Sequence, residues 1–82
     1  MKVYANIFLE TITDVKEFVS VMNECSSDEV DLKADRYVVN ARSLMGIFSL
    51  DLAQPIVLVF PVEVEPFIKE RVLSKWGVAN ES

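Results

Sequence analysis

Residues 40–52 read NARSLMGIFSLDL, and this stretch decides how the middle of the chain folds. Ser43 stands directly before an apolar run. A serine in that position is typical of a helix N-cap, because its hydroxyl can accept a hydrogen bond from an unpaired N–H of the first turn. Leu44, Ile47 and Phe48 follow at i, i+3 and i+4 spacing, so they share one face of a helix. The stretch therefore predicts a short helix that begins after Ser43.

A glycine interrupts this predicted helix at Gly46. Glycine in a helix interior costs about 1 kcal/mol relative to alanine. We therefore expect a structural reason for the glycine, such as the close approach of a neighbouring part of the chain.

Patterns on both sides of the stretch predict the remaining elements. Residues 2–10 alternate between apolar and polar side chains, as a half-buried strand does, and residues 56–62 form the continuous apolar run of a central strand. In chain order we predict strand 2–10, a helix that ends near Cys25, strands 29–35 and 37–41 joined by a tight turn at 35–36, the helix after Ser43, strand 56–62, and a helix with Pro66 in its first turn that ends before Gly77. Residues 78–82 are expected to fray.

The start of the first helix has two candidate capping boxes. Asp14 followed by Glu17 fits the motif well, and Thr11 followed by Asp14 fits a weaker version of it. Apolar side chains at helical spacing then define the buried face of this helix, namely Val15, Phe18, Val19 and Met22.

The order β-α-β-β-α-β-α places the chain in the α+β class. One-sided strands and amphipathic helices predict an open-faced β-sandwich, in which three helices cover one face of a four-stranded antiparallel sheet. A ferredoxin-like βαββαβ domain is the alternative, but the short middle helix and the extra final helix disfavour it. The side chains expected at the interface between helices and sheet are Val3, Ile7, Val15, Phe18, Val19, Met22, Val30, Leu32, Ile56, Leu58, Ile68 and Val72.

Composition narrows the classes of protein that this chain can belong to. A length of 82 residues predicts a single domain, 1–82, and a net charge of −5 argues against nucleic acid or an anionic membrane as partner. No signal peptide or membrane-spanning run is evident, so we expect a cytoplasmic protein whose partners are proteins. The single cysteine, Cys25, and the absence of histidine predict no metal site, and Cys25 and Trp76 are interpreted as packing residues.

The segment VNARSLMGIFSLDL, which begins at Val39, resembles the second-helix segment of the HPr family, the small phosphocarriers of the bacterial sugar phosphotransferase system. That family typically shows V-N-x-K-S-[IL]-M-G-[VI]-[MF]-S-L at this place. The match is specific over residues 39–50 and weak over most of the chain. The resemblance implies the same open-faced β-sandwich that the patterns predict independently.

The resemblance also implies where the family's phosphorylated histidine would stand. Without gaps, that position falls on Ile12, and the family's assisting arginine is replaced by Asp14, whose charge repels phosphate. Because the chain contains no histidine, we predict no enzyme activity, no cofactor and no phosphoryl carriage. Asp14 as a substitute acyl-phosphate site is far less favoured than Asp14 as part of a helix cap.

Ser43 matches a serine that an ATP-dependent HPr kinase phosphorylates in many Gram-positive members of the family. A phosphoserine at a helix start gains from the helix dipole, and Arg42 adjoins it. The alternative is a helix cap without phosphorylation, and a cap is compatible with both interpretations.

Partner contacts are implied on the same helix. The residues implied are Arg42, Leu44, Met45, Ile47 and Phe48. Because Leu44 and Ile47 are enough to fill the core side of the helix, we expect Met45 and Phe48 to form the exposed part. Asp51, where the family usually has a small residue, adds negative charge beside this surface.

Three hypotheses for function follow. The first is a non-catalytic regulatory protein related to the phosphotransferase system, with HPr kinase, a transcription regulator or a phosphotransferase-system component as partner. The second is a phosphocarrier component of sugar transport, which the absence of histidine disfavours. The third is an assembly module without phosphorylation, and the sequence does not separate it from the first.

Overall fold

The computed structural model describes residues 1–78 and contains every predicted element. The strands and the first two helices are β1 Lys2–Ile7, α1 Ile12–Met22, β2 Asp31–Ala34, β3 Tyr37–Asn40, α2 Leu44–Phe48 and β4 Ile56–Pro61. One continuous helix follows, α3, which consists of a 3₁₀ turn Val62–Val64, an α turn Glu65–Ile68, a π-helical segment Lys69–Leu73 and a last α turn Ser74–Trp76.

The four strands form one antiparallel sheet in the order β1-β4-β2-β3. β1 pairs with β4 along its whole length, from Lys2 opposite Pro61 to Ile7 opposite Ile56. β2 pairs with β4 on one side and with β3 on the other. The α+β class and the open-faced sheet with three helices are therefore as predicted.

The core lies between one face of the sheet and the helices. In β4 the side chains of Ile56, Leu58 and Phe60 point into it, opposite Ile7, Ala5 and Val3 of β1. On the other face of the sheet, Tyr4 and Val38 are exposed. All the side chains predicted for the interface are buried or pack against the core, among them Val15, Phe18, Met22, Leu32, Ile68 and Val72.

Thr11, not Asp14, is the N-cap of α1, so the weaker of the two predicted capping boxes is the one that forms. The Thr11 hydroxyl accepts from the backbone N–H of Asp14 at 3.0 Å. The Asp14 carboxylate accepts in return from the N–H of Thr11 at 3.2 Å. The helix therefore begins at Ile12, and it ends at Met22 because the chain turns there, with the N–H of Cys25 donating to the Met22 carbonyl at 3.1 Å.

The turn between β2 and β3 has the predicted length. Asp35 and Arg36 form a two-residue connection between the paired residues Ala34 and Tyr37. Asp35 takes a φ of 56°, a left-handed conformation that aspartate tolerates better than most residues.

The last helix begins earlier than Pro66, because the 3₁₀ turn from Val62 leads into it. Gly77 directly follows the helix, but its φ of −65° and ψ of 141° are extended and open to any residue. Space requires the glycine instead, since a Cβ at Gly77 would lie 2.6 Å from the Leu73 carbonyl oxygen. Val78 was expected to fray, yet its N–H donates to the Asn6 carbonyl at 3.0 Å, and the rest of that prediction, residues 79–82, lies outside the described residues.

Contacts of α3 with α1 and with the loop that follows α1 hold the helix layer together. The Phe18 and Trp76 rings meet edge to face, with centroids 5.9 Å apart. Ion pairs join Arg71 to Glu24 at 3.0 Å and Lys75 to Glu17 at 3.2 Å. Within residues 1–78 no helix has the length and apolar character needed to cross a membrane.

Candidate functional site

Ser43 occupies the N-cap of α2, as predicted. Its φ of −94° and ψ of 98° are non-helical, and its hydroxyl oxygen accepts from the backbone N–H of Gly46 at 3.1 Å. The side chain is partly exposed. The same oxygen that would receive a phosphoryl group thus caps the start of the helix, on a residue that is partly buried.

The close approach of neighbouring atoms explains why residue 46 is a glycine, as predicted. A Cβ at this position would lie 2.8 Å from the Ser43 hydroxyl oxygen and 3.1 Å from the Val39 Cβ. Because both distances are shorter than ordinary van der Waals contact, the glycine lets the capping serine and β3 approach the helix closely.

In α2 and the turn that follows it, every third side chain lies on the same side, so one side faces the core and the other faces outward. The N–H groups of Ser49 and Leu50 donate three residues back, at 3.1 and 3.0 Å, which tightens the chain to a 3₁₀-like turn in which residues i and i+3 align. Leu44, Ile47 and Leu50 lie on the inward side, where Ile47 and Leu50 are buried and Leu44 is partly buried.

The outward side carries the two apolar side chains that were expected to be exposed. Met45 is 79% exposed and Phe48 is 38% exposed. Asp51 continues the row at the same spacing and is also exposed. We call Met45, Phe48 and Asp51 the α2 surface.

Two of the residues proposed for partner contacts are engaged inside the protein. Ile47 is completely buried, so it supports the helix from within and offers no contact surface, which corrects its place among the partner-binding residues. Arg42 points towards the end of α1, where its Nε donates to the Met22 carbonyl at 3.2 Å and one terminal nitrogen donates to the Cys25 carbonyl at 2.7 Å.

The role of Arg42 is one that sequence reasoning missed. The last carbonyls of a helix lack partners within the helix, and basic side chains near its end commonly satisfy them. α1 carries no basic residue in its last turn. Arg42 supplies this function from a position about twenty residues further along the chain, a separation at which no local pattern could have indicated it.

The position that the resemblance assigns to the active histidine is the first residue of α1. Ile12 is 63% exposed and has no nucleophilic atom. Asp14 lies close by, and its Oδ2 accepts from the N–H groups of Glu10 and Thr11 at 3.1 and 3.2 Å. Partial desolvation raises the pKa of the Asp14 carboxyl, but hydrogen bonds from the Trp76 side chain and from the Thr11 and Glu10 backbones outweigh it, so the pKa lies below its ordinary value of 3.8.

This environment gives Asp14 a structural task. Its carboxylate accepts from the backbone N–H groups at the start of α1 and so completes the cap of this helix. An acyl phosphate on Asp14 would convert the carboxylate that accepts from these donors into an anhydride and would place a bulky phosphate at the capping box.

The other candidate groups do not assemble into a site. Cys25 is buried, and Trp76 is a core residue packed on Phe18, as interpreted. Among residues 1–78, no three side chains of the metal-binding types come together in a group that could hold a metal ion.

The chain was compared with protein-family models, with curated proteins and with solved structures, and none of them matches it.

Proposed function

We propose that this protein is an HPr-like regulatory protein that works through protein contacts, with Ser43 as a site of phosphorylation and the α2 surface as its docking surface. It acts in the cytoplasm, on partners such as an HPr kinase, a transcription regulator or a phosphotransferase-system component. It is not itself an enzyme.

The observation that carries the proposal is the juxtaposition at the start of α2. A serine of intermediate burial at the N-cap directly precedes a helix that leaves Met45 79% exposed. Exposed methionine and aromatic side chains adapt well to a protein surface. The resemblance of residues 39–50 to the HPr segment connects this geometry to a kinase that acts on such a serine.

The chemistry at Ser43 is a phosphoryl transfer from ATP. The hydroxyl oxygen attacks the γ-phosphorus, the bond to the β-phosphate oxygen breaks, ADP leaves, and a base on the kinase takes the hydroxyl proton. The product carries a charge of about −1.5 to −2 at the positive end of α2.

Partner choice would change as a result. A dianion beside Met45 and Phe48 repels acidic partners and attracts partners that present arginine. Asp51, at the far end of the same surface, adds to this preference for a basic partner.

The experiment is incubation with HPr kinase and ATP, followed by measurement of the intact mass. We expect wild type to gain the mass of one phosphoryl group and Ser43→Ala to gain none. Ser49→Ala is the matched control, because Ser49 lies at the other end of α2 and is exposed. An authentic HPr serves as the positive control for the kinase.

An unmodified wild-type protein, under conditions that modify the authentic HPr completely, would contradict phosphorylation. Ser43 would then be a helix cap alone. The assembly module without phosphorylation would become the first hypothesis.

A further inference from the structure

We propose that Arg42 couples the phosphorylation of Ser43 to the end of α1. In the unmodified protein Arg42 holds the segment 23–28, and a phosphate on Ser43 draws its guanidinium away and loosens that segment. This inference rests on the proposed function, since it describes what the modification of that same serine does to the fold.

In the unmodified protein the Arg42 guanidinium donates to three backbone carbonyls. Besides the carbonyls of Met22 and Cys25, it reaches the carbonyl of Ser27 at 3.4 Å. The shortest of these bonds joins it to Cys25, at 2.7 Å, and the side chain is partly buried. One guanidinium therefore holds the last turn of α1 and the loop that leaves it.

A phosphate on the adjacent residue offers this guanidinium a stronger acceptor. A carbonyl oxygen is neutral, whereas hydrogen bonds between arginine and phosphate are assisted by charge on both sides and are roughly twice as strong as neutral ones. Arginine also binds phosphate through two parallel N–H groups. Arg42 lies in the turn that the Ser43 N–H closes on the Asn40 carbonyl at 3.0 Å, and its guanidinium is engaged by the carbonyls at the end of α1, so it must leave them to reach a phosphate on Ser43.

The other contacts around the segment limit how far the loosening spreads. The Asn40 side chain donates to the Asp28 carbonyl at 3.0 Å, and the Ala41 N–H donates to the Val30 carbonyl at 2.9 Å. The Asn40 side chain also accepts from the Arg42 backbone N–H at 2.9 Å, but neither bond to the far end of the loop involves the Arg42 guanidinium. The change is therefore confined to residues 23–28, a segment that includes Glu24, the ion-pair partner of Arg71.

Two backbone amides report on this segment. The N–H of Glu24 donates to the Val21 carbonyl at 2.9 Å, and the N–H of Cys25 donates to the Met22 carbonyl at 3.1 Å. Both bonds belong to the last turn that Arg42 closes. If that turn opens more often, the hydrogens of these two amides exchange faster with solvent.

The experiment is residue-resolved amide hydrogen exchange on the full chain, with phosphoserine installed at position 43 during synthesis. No kinase is needed, so the result does not depend on whether a kinase recognises the protein. We expect exchange at Glu24 and Cys25 to become faster by roughly tenfold or more, with a shifted Nε resonance of Arg42. Phosphoserine installed at position 49 is the matched control and should leave both amides unchanged.

Arg42→Gln provides the second arm. This variant lacks the guanidinium that binds the carbonyls of Met22 and Cys25, so amide exchange at Glu24 and Cys25 should be fast before modification. Phosphoserine at position 43 should then not increase the exchange rates further. If Arg42→Gln does not fold, Arg42→Lys keeps the charge but offers a single ammonium, and the effect of the phosphate should be smaller than in wild type.

Unchanged exchange and an unchanged Arg42 resonance in the phosphorylated chain would overturn the inference, because Arg42 would then stay on the carbonyls. Failure of the kinase to modify Ser43 would instead contradict the proposed function. It would not affect the hydrogen-exchange result, because that experiment uses phosphoserine installed by synthesis. The two failures are therefore distinguishable.

Discussion

At the scale of single residues, Asp14 organises the start of α1. Its carboxylate completes the capping box of α1, and the nearby Trp76 side chain at the end of α3 helps to lower its pKa. The capping box could be proposed from the sequence because it is local, whereas the effect of Trp76 depends on residues far apart in the chain.

The pKa of Asp14 predicts how acid affects stability. Because the folded-state pKa lies below the ordinary value, the charged form stabilises the fold at neutral pH, and this contribution is lost as the pH falls from 3.8 through the lower folded-state pKa. Asp14→Asn should therefore have a lower Tm than wild type at pH 7, and the difference should narrow in acid. Thermal unfolding at a series of pH values measures this, with Glu10→Gln as a control of equal charge. A difference that does not depend on pH would contradict it.

Gly46 leads to a prediction that opposes helix propensity. Alanine usually stabilises a helix interior by about 1 kcal/mol relative to glycine. Here the added Cβ would lie 2.8 Å from the Ser43 hydroxyl oxygen, so Gly46→Ala should lower the free energy of unfolding instead. The loss should be smaller in the Ser43→Ala background, which removes the nearest atom. Denaturant unfolding of the four proteins of this cycle measures the coupling, and a stabilising Gly46→Ala would show that the site can relax.

At the scale of elements, α2 combines a buried side with an exposed side in only five residues. The inward residues anchor it to the core, and Arg42 ties its entry to the end of α1. Because the helix is too short to be stable alone, its position depends on these contacts. These contacts therefore fix the position of the α2 surface.

A substitution of Met45 tests whether the α2 surface docks partners. The Met45 side chain is 79% exposed, so Met45→Ser should change the Tm little. If the α2 surface docks partners, the same change should slow phosphorylation of Ser43 by HPr kinase. Val38→Thr is the matched control, since Val38 is an exposed valine on the opposite face of the sheet. Equal rates for wild type and Met45→Ser would remove Met45 from the docking surface.

At the scale of the whole molecule, the sheet and its helices place Ile12 and Ser43 at the starts of two different helices. Ile12 lacks a nucleophile, and the chain contains no histidine. We predict that the phosphotransferase system's first enzyme and phosphoenolpyruvate do not phosphorylate the protein. The measurement is a search for an acid-labile phosphorylated species, with authentic HPr as control. Detection of such a species would contradict the prediction.

The sequence by itself determined the element order, the buried faces of α1 and β1, the turn at Asp35 and the cap at Ser43. Each of these depends on residues within a few positions of one another, where periodicity and capping chemistry act directly. The same locality explains why the reason for Gly46 could be expected in kind, although its neighbours could not be named.

Tertiary structure decided that the buried side of β4 extends beyond the predicted Ile56 and Leu58 to Phe60, because a continuous apolar run carries no alternation to mark its buried residues. It also selected Thr11 over Asp14 as the cap, and the Asp14 carboxylate accepts from the backbone N–H groups of Glu10 and Thr11 instead. Arg42 is the clearest case: its carbonyl partners at the end of α1 lie far back in the chain, and only folding brings them together.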